Sequence, residues 1–230
     1  MLWKVDSVMS NFALDQQIAL VDTSLSHWQD LVAGLPSGTT VQTFSSLAQL
    51  AQWASGHQGE YTAMHVFSHG AAGALRLGAD LLDNARLSDP FVQAQLQGLG
   101  QALVAGGDLL LYGCNVADGQ LGASFVGKLA QVTQADVAAS DNLTGARGDW
   151  VLESATGAVD TPTLTPQNYQ GTLLDVTVNF DSGLDRSSAE LTAGVPSITQ
   201  TIGGYSFTVT SQTHSVYGSA QANGFTLDNS

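Results

Sequence analysis

The chain has 230 residues, 43% of them hydrophobic, with 20 acidic side chains against six basic ones and a formal net charge of −14. So few cations exclude nucleic-acid binding through phosphate contacts and argue equally against docking on anionic membranes. A single cysteine, Cys114, excludes an intrachain disulfide and any cysteine-based zinc cluster.

Residues 1–17 show no clear period and no apolar block of the length a secretory signal needs, so they read as a lead-in without an N-terminal Sec signal. Ile18–Asp22 is short and almost wholly apolar, as expected of a strand buried on both faces. Ser26 and Gln29 form a capping-box pattern. Trp28, Leu31, Val32 and Leu35 follow at helical spacing until Pro36-Ser37-Gly38 stops the helix. Thr40–Phe44 reads as a second strand, and Leu47, Leu50, Ala51 and Ala54 mark a second helix ended by Gly56. The third strand, Ala63–Ser68, runs into His69-Gly70, and Ala74–Gly78 suits one arm of a small hairpin. Val92, Leu96, Leu99 and Leu103 line one face of a helix closed by Gly106-Gly107. Those glycines and Asp108 also break the most apolar stretch, around Ala102–Cys114, which therefore falls short of a membrane span. Asp108–Tyr112 is the clearest strand and ends at Gly113-Cys114. Leu121, Phe125, Leu129 and Val132 give a helix that begins near Gly119, and Ala135–Ala139 gives the fifth strand.

Apolar strands alternating with amphipathic helices predict an α/β fold: a doubly wound, mostly parallel sheet flanked by helices and joined by right-handed crossovers. Such sheets bind ligands at the carboxyl ends of their strands, where His69 and Cys114 both fall. Thr161–Pro166 reads as a wrap leading out of this domain. After about Thr172 helical periodicity ends. Asp175–Phe180 and Tyr205–Thr210 alternate between Gly, Ser and Thr turns, as expected of the opening strands of a β domain. The expected organisation is a lead-in (1–17), an α/β domain (18–171), and a linker with a partial β domain (172–230).

Gly70 permits a sharp exit after His69 and lets a backbone N–H face a substrate. His65 shares a strand face with His69 and reads as a packing residue. Cys114 emerges where a strand gives way to a helix N-terminus, and positive potential there together with a nearby imidazole would favour its thiolate. The runs Met64–Gly70 and Asp108–Asn115 resemble the caspase-hemoglobinase fold of clan CD cysteine peptidases, which includes caspases, gingipains, separases and clostripain. More closely, residues 18–171 resemble a bacterial domain of unassigned function found near the start of very large adhesins. That likeness is carried by Val21-Asp22-Thr23, Leu31–Leu35, Ser68-His69-Gly70, Leu111–Asn115, Ala138–Asp141 and Gly148-Asp149-Trp150.

The resemblance implies that Cys114 is the nucleophile and His69 the general acid, with the backbone N–H groups of Gly70 and Cys114 forming an oxyanion hole. It makes Asp141 the candidate for selecting a substrate Arg or Lys, although Ser140-Asp141-Asn142 reads as well as an ordinary turn. Asp118 reads as a helix cap rather than a second acidic wall. The expected function is a cysteine endopeptidase processing its own chain within a secreted or surface-located bacterial protein. The alternatives are an inactive caspase-like scaffold for adhesion or assembly, or a transpeptidase using the same dyad. With six basic residues to choose from, Arg186, in the polar stretch Asp181–Ser188, is the candidate cleavage site, and its alternative is a surface residue of a β turn. A cut after Leu173 or Leu174 would instead indicate an apolar pocket. No cofactor is expected: Asp181–Asp185 falls short of a calcium loop, and the glycines at 34, 38, 98 and 100 compose no phosphate loop.

Overall fold

Alternating strand residues face opposite sides of a sheet, and this period of two builds the core of the first unit. The computed structural model describes residues 16–174, together with the backbone of 197–202 and 205–210. Two compact units divide the chain, 1–176 and 177–230.

The first unit is mixed α/β around a six-stranded sheet in the order β2-β1-β3-β7-β8-β9. Its strands are β1 (Gln17–Asp22), β2 (Thr40–Phe44), β3 (Tyr61–Phe67), β7 (Leu103–Tyr112), β8 (Asp136–Ala139) and β9 (Ser154–Thr156). All neighbours are parallel except β9, which adds antiparallel to β8. Four α-helices occur among the described residues: α1 (Trp28–Gly34), α2 (Leu47–Ala54), α3 (Pro90–Gly100) and α4 (Gly119–Thr133). Between β3 and α3 a small antiparallel sheet of β4 (Gly70–Ala71), β5 (Ala74–Leu77) and β6 (Asp80–Asp83) stands beside the carboxyl end of β3.

Ile18, Leu20, Met64, Val66, Leu109, Leu111 and Val137 share one apolar cluster with residues of α2, α3 and α4. The intervening residues Ala19, Val21, Ala63, Phe67, Leu110 and Tyr112 join the opposite cluster, which Leu31 of α1 and the C-terminal residues Tyr169 and Leu173 complete. Three helices therefore cover one face, and one short helix plus an extended strap covers the other.

Local chemistry departs from the expected elements in three places. The capping box lies at α2, where Ser46 accepts from the Gln49 N–H and the Gln49 side chain accepts from the Ser45 N–H. At α1 the cap position is His27 in a left-handed conformation (φ 57°), and the Ser26 carbonyl instead receives the Tyr169 hydroxyl. Leu103 belongs to β7 rather than to α3, because Tyr61 pairs with Leu103 while Ala63 pairs with Asp108. The surplus residues around Gly106 (φ 74°) and Gly107 form an irregularity in the ladder, not a helix stop.

In the second unit, β10 (Ser197–Ile202) and β11 (Tyr205–Thr210) form an antiparallel pair. The expected strand Asp175–Phe180 lies outside the described residues.

Candidate active site

β3 and β7 run in register to Phe67 opposite Tyr112, whose rings stack at 4.3 Å. Two residues past each strand end stand His69 and Cys114, and the Cys114 side chain joins the same apolar cluster as Phe67 and Tyr112. The two strand ends meet at glycines. A Cβ on Gly70 would lie 2.6 Å from Val116 Cγ2 and 2.8 Å from the Cys114 carbonyl oxygen, so no larger residue fits. Beyond Cys114 the chain turns through Asn115 (φ 59°), whose N–H donates to the Asn142 carbonyl at 2.7 Å, and enters α4 at Gly119. Asp118 holds the N-cap position of α4 without a side-chain capping bond.

The strap is tied along the length of β7. The Thr161 N–H and hydroxyl both donate to Asp108 Oδ2, at 3.1 and 2.6 Å. The Leu164 N–H donates to the Tyr112 hydroxyl at 2.7 Å, and the Gln167 N–H to the Gly34 carbonyl at 2.7 Å. Past Tyr169 the strap crosses the carboxyl end of the sheet as an added strand. There the Ala146 N–H donates to the Gly171 carbonyl at 2.9 Å, and the Leu173 N–H to the Thr144 carbonyl at 3.0 Å. Bridges pair Thr172 with Gly145 and Leu174 with Gly70.

Two backbone donors converge where this strand crosses. The N–H groups of Gly70 and Cys114 both donate to the Leu173 carbonyl oxygen, at 2.8 and 3.2 Å. Those are the two groups expected to form an oxyanion hole, and a peptide carbonyl of the chain itself lies in their fork.

The Cys114 thiol is fully buried beneath this crossing. It donates to the Thr144 carbonyl at 3.4 Å and accepts from the Thr144 N–H at 3.2 Å. Burial pushes its pKa up to about 11, against a smaller opposing pull from the backbone N–H groups of Thr144, Leu173 and Cys114 itself. The thiol is therefore neutral at physiological pH while covered. Tyr169, whose hydroxyl donates to Ser26, is raised to about 12 by burial first and then by the neighbouring Cys114 and Asp30.

The fold brings Gly70 and Cys114 together, and His69, partly exposed, precedes Gly70 in the chain. Asp141 is not among them. It is exposed, and its N–H donates to the Glu153 carboxylate at 3.1 Å, while Thr144 is the residue against the thiol. Arg186 and the Asp181–Asp185 stretch lie outside the described residues. His65 is fully buried between Tyr112 and Gln17, a packing role. Thr144 and Tyr169 carry no signal in the sequence, and Leu173 stands there only as an alternative cut position. The one local signal was the apolar pair Leu173-Leu174 closing an otherwise polar strap. No cluster of three or more His, Cys, Asp or Glu able to hold a metal occurs among the described residues.

The family model described as a domain of unknown function, DUF4347, matches residues 18–173. The chain belongs to that family. The DUF4347 match begins in β1 and ends at Leu173, the residue whose carbonyl the Gly70 and Cys114 N–H groups hold. No curated protein matches the chain, and no solved structure does. No described helix is long and apolar enough to cross a membrane.

Proposed function

We propose that the DUF4347 domain is a caspase-like cysteine endopeptidase that processes its own chain, with Cys114 as nucleophile and His69 as general acid. The observation that carries this reading is the fork of two backbone N–H groups, one of them Cys114's own, closed on a single carbonyl oxygen beside the thiol. Such preorganised donors stabilise the charge that develops on oxygen when a thiolate adds to a carbonyl. The raised thiol pKa fits a nucleophile that surrenders its proton to an adjacent base during attack, rather than one resting as a thiolate. Tethering of enzyme and substrate in one chain supplies an effective concentration of roughly millimolar, which suits processing within a large secreted bacterial surface protein.

The same buried, neutral thiol favours a second reading: an inactive scaffold whose groove is closed by its own strand. Intact mass after prolonged incubation separates the two. Wild type should fall into two fragments while Cys114→Ala stays whole, and a wild type that stays whole supports the scaffold. A transpeptidase would add an amine nucleophile's mass to the N-terminal fragment.

A further inference from the structure

Resting on the peptidase reading, we propose that the bond cut is the chain's own Leu173–Leu174 peptide, and that the site selects an apolar residue rather than Arg or Lys. The Leu173 carbonyl oxygen already occupies the fork of Gly70 and Cys114 N–H groups. Leu173 is also held as a bound peptide would be. Its own N–H and the carbonyl two residues before it pair with Thr144 and Ala146, in the main-chain manner of strand addition. The Thr144 carbonyl accepts from both the Leu173 N–H and the Cys114 thiol, which sets the sulfur against the Leu173 peptide unit.

The Leu173 side chain is fully buried in the cluster with Val21, Leu25, Leu31, Phe67 and Tyr169. A Lys or Arg in that place would bury its charge among apolar groups, which is costly without a partner. The buried carboxylate at the end of β1, Asp22, is already held by Ser24, Ser68 and Gly78. The bond also lies three residues before the boundary of the two compact units, so cutting it would release residues 174–230, the second unit among them, and leave the family span whole.

In the reaction Cys114 Sγ adds to the Leu173 carbonyl carbon as its proton passes to His69. The resulting oxyanion takes the two backbone N–H bonds. The Leu173–Leu174 C–N bond then breaks, its electron pair staying on the Leu174 nitrogen, which receives the proton from His69. Water hydrolyses the thioester, leaving a Leu173 carboxylate and restoring the thiol. Anchors at Thr161, Leu164, Gln167 and Tyr169 keep that carboxylate in the fork, so each chain cuts once.

The test uses the full 230-residue chain, followed by intact mass and N-terminal sequencing. The expected result is a C-terminal fragment beginning at Leu174, formed at a rate independent of protein concentration and absent in Cys114→Ala. Leu173→Asp should slow it at least ~100-fold. Because that variant also burdens the core, Leu174→Pro is the companion. It keeps the Leu173 side chain, places the scissile nitrogen in a ring, and should slow the cut at least ~10-fold. A Cys114-dependent terminus elsewhere, such as Ser187, overturns this inference and leaves the peptidase reading standing. A wild-type chain as durable as Cys114→Ala overturns both.

Discussion

His65 sits fully buried with Nδ1 3.1 Å from the Tyr112 hydroxyl and Nε2 3.2 Å from Gln17 Oε1. Burial lowers its pKa to about 4, against an ordinary value near 6.5. Between those values the unfolded chain holds the extra proton, so stability is full above about pH 6.5 and is lost as pH falls towards about 4. The whole window is worth on the order of 3 kcal/mol. Urea midpoints at pH 7.5 and 5 should show a larger acid loss for wild type than for His65→Gln, and equal losses would refute the assignment. Thr144 supplies a second case: its backbone engages the thiol and Leu173, whereas its buried hydroxyl makes no hydrogen bond among the described residues. Thr144→Val should therefore leave the melting temperature unchanged or raise it, by up to ~1 kcal/mol in stability, because an unpaired buried hydroxyl is itself a cost. A loss of more than that would reveal a partner for the hydroxyl.

At the scale of elements, the strap is what covers the site, and it is tied by a few scattered hydrogen bonds rather than by a helix. Removing the Tyr169 ring takes away its bond to Ser26 and one wall of the apolar cluster. Tyr169→Ala should loosen the crossing strand and raise the rate at which iodoacetamide alkylates Cys114 in the uncut chain by ~10-fold or more at pH 8. Intact mass reads both alkylation and cutting, so the rate can be taken on uncut molecules alone, and an unchanged rate would mean the strap does not gate the thiol. The β3–β7 junction is the more rigid partner. Gly70→Ala should destabilise by ~2–4 kcal/mol, measured by denaturant unfolding, since its methyl meets the Cys114 carbonyl and Val116 at under 3 Å. The sequence had marked this glycine for its exit from the strand. Its near-contact with the next strand end was invisible there, because residues 70 and 113 are brought together only by the pairing of β3 with β7.

Over the whole molecule the dominant electrostatic fact is self-repulsion, with a net charge of −14 on 230 residues and only six cationic side chains. Salt should screen it, so adding ~0.5 M NaCl should raise the melting temperature by roughly 3–5 °C. A fall with salt would point to favourable ion pairs outweighing repulsion. The Arg86–Asp89 ion pair and the His27–Asp30 contact are both short-range and exposed and contribute little.

The sequence alone determined the parallel α/β sheet, the strand ends that carry His69 and Cys114, and the hairpin beside them. These rest on local pattern: short apolar runs bounded by turn residues and alternating with helical spacing mark buried strands. It also determined the turn to β structure that appears at Tyr205–Thr210. Only the tertiary structure decided what faces the thiol. Asp141, two residues past β8, reads in the sequence equally as a selector of Arg or Lys and as part of a turn; in the structure it is exposed, and the Thr144 backbone is what meets the Cys114 thiol. Leu173, far along the chain from Gly70 and Cys114, lies on both of their N–H groups because a strap without periodicity is tied down at Asp108, Tyr112 and Gly34. Of those ties only Gln167 to Gly34 is backbone to backbone; at Asp108 and Tyr112 a strap N–H meets a side chain, joined at Asp108 by the Thr161 hydroxyl, and no local pattern pairs partners more than 50 residues apart.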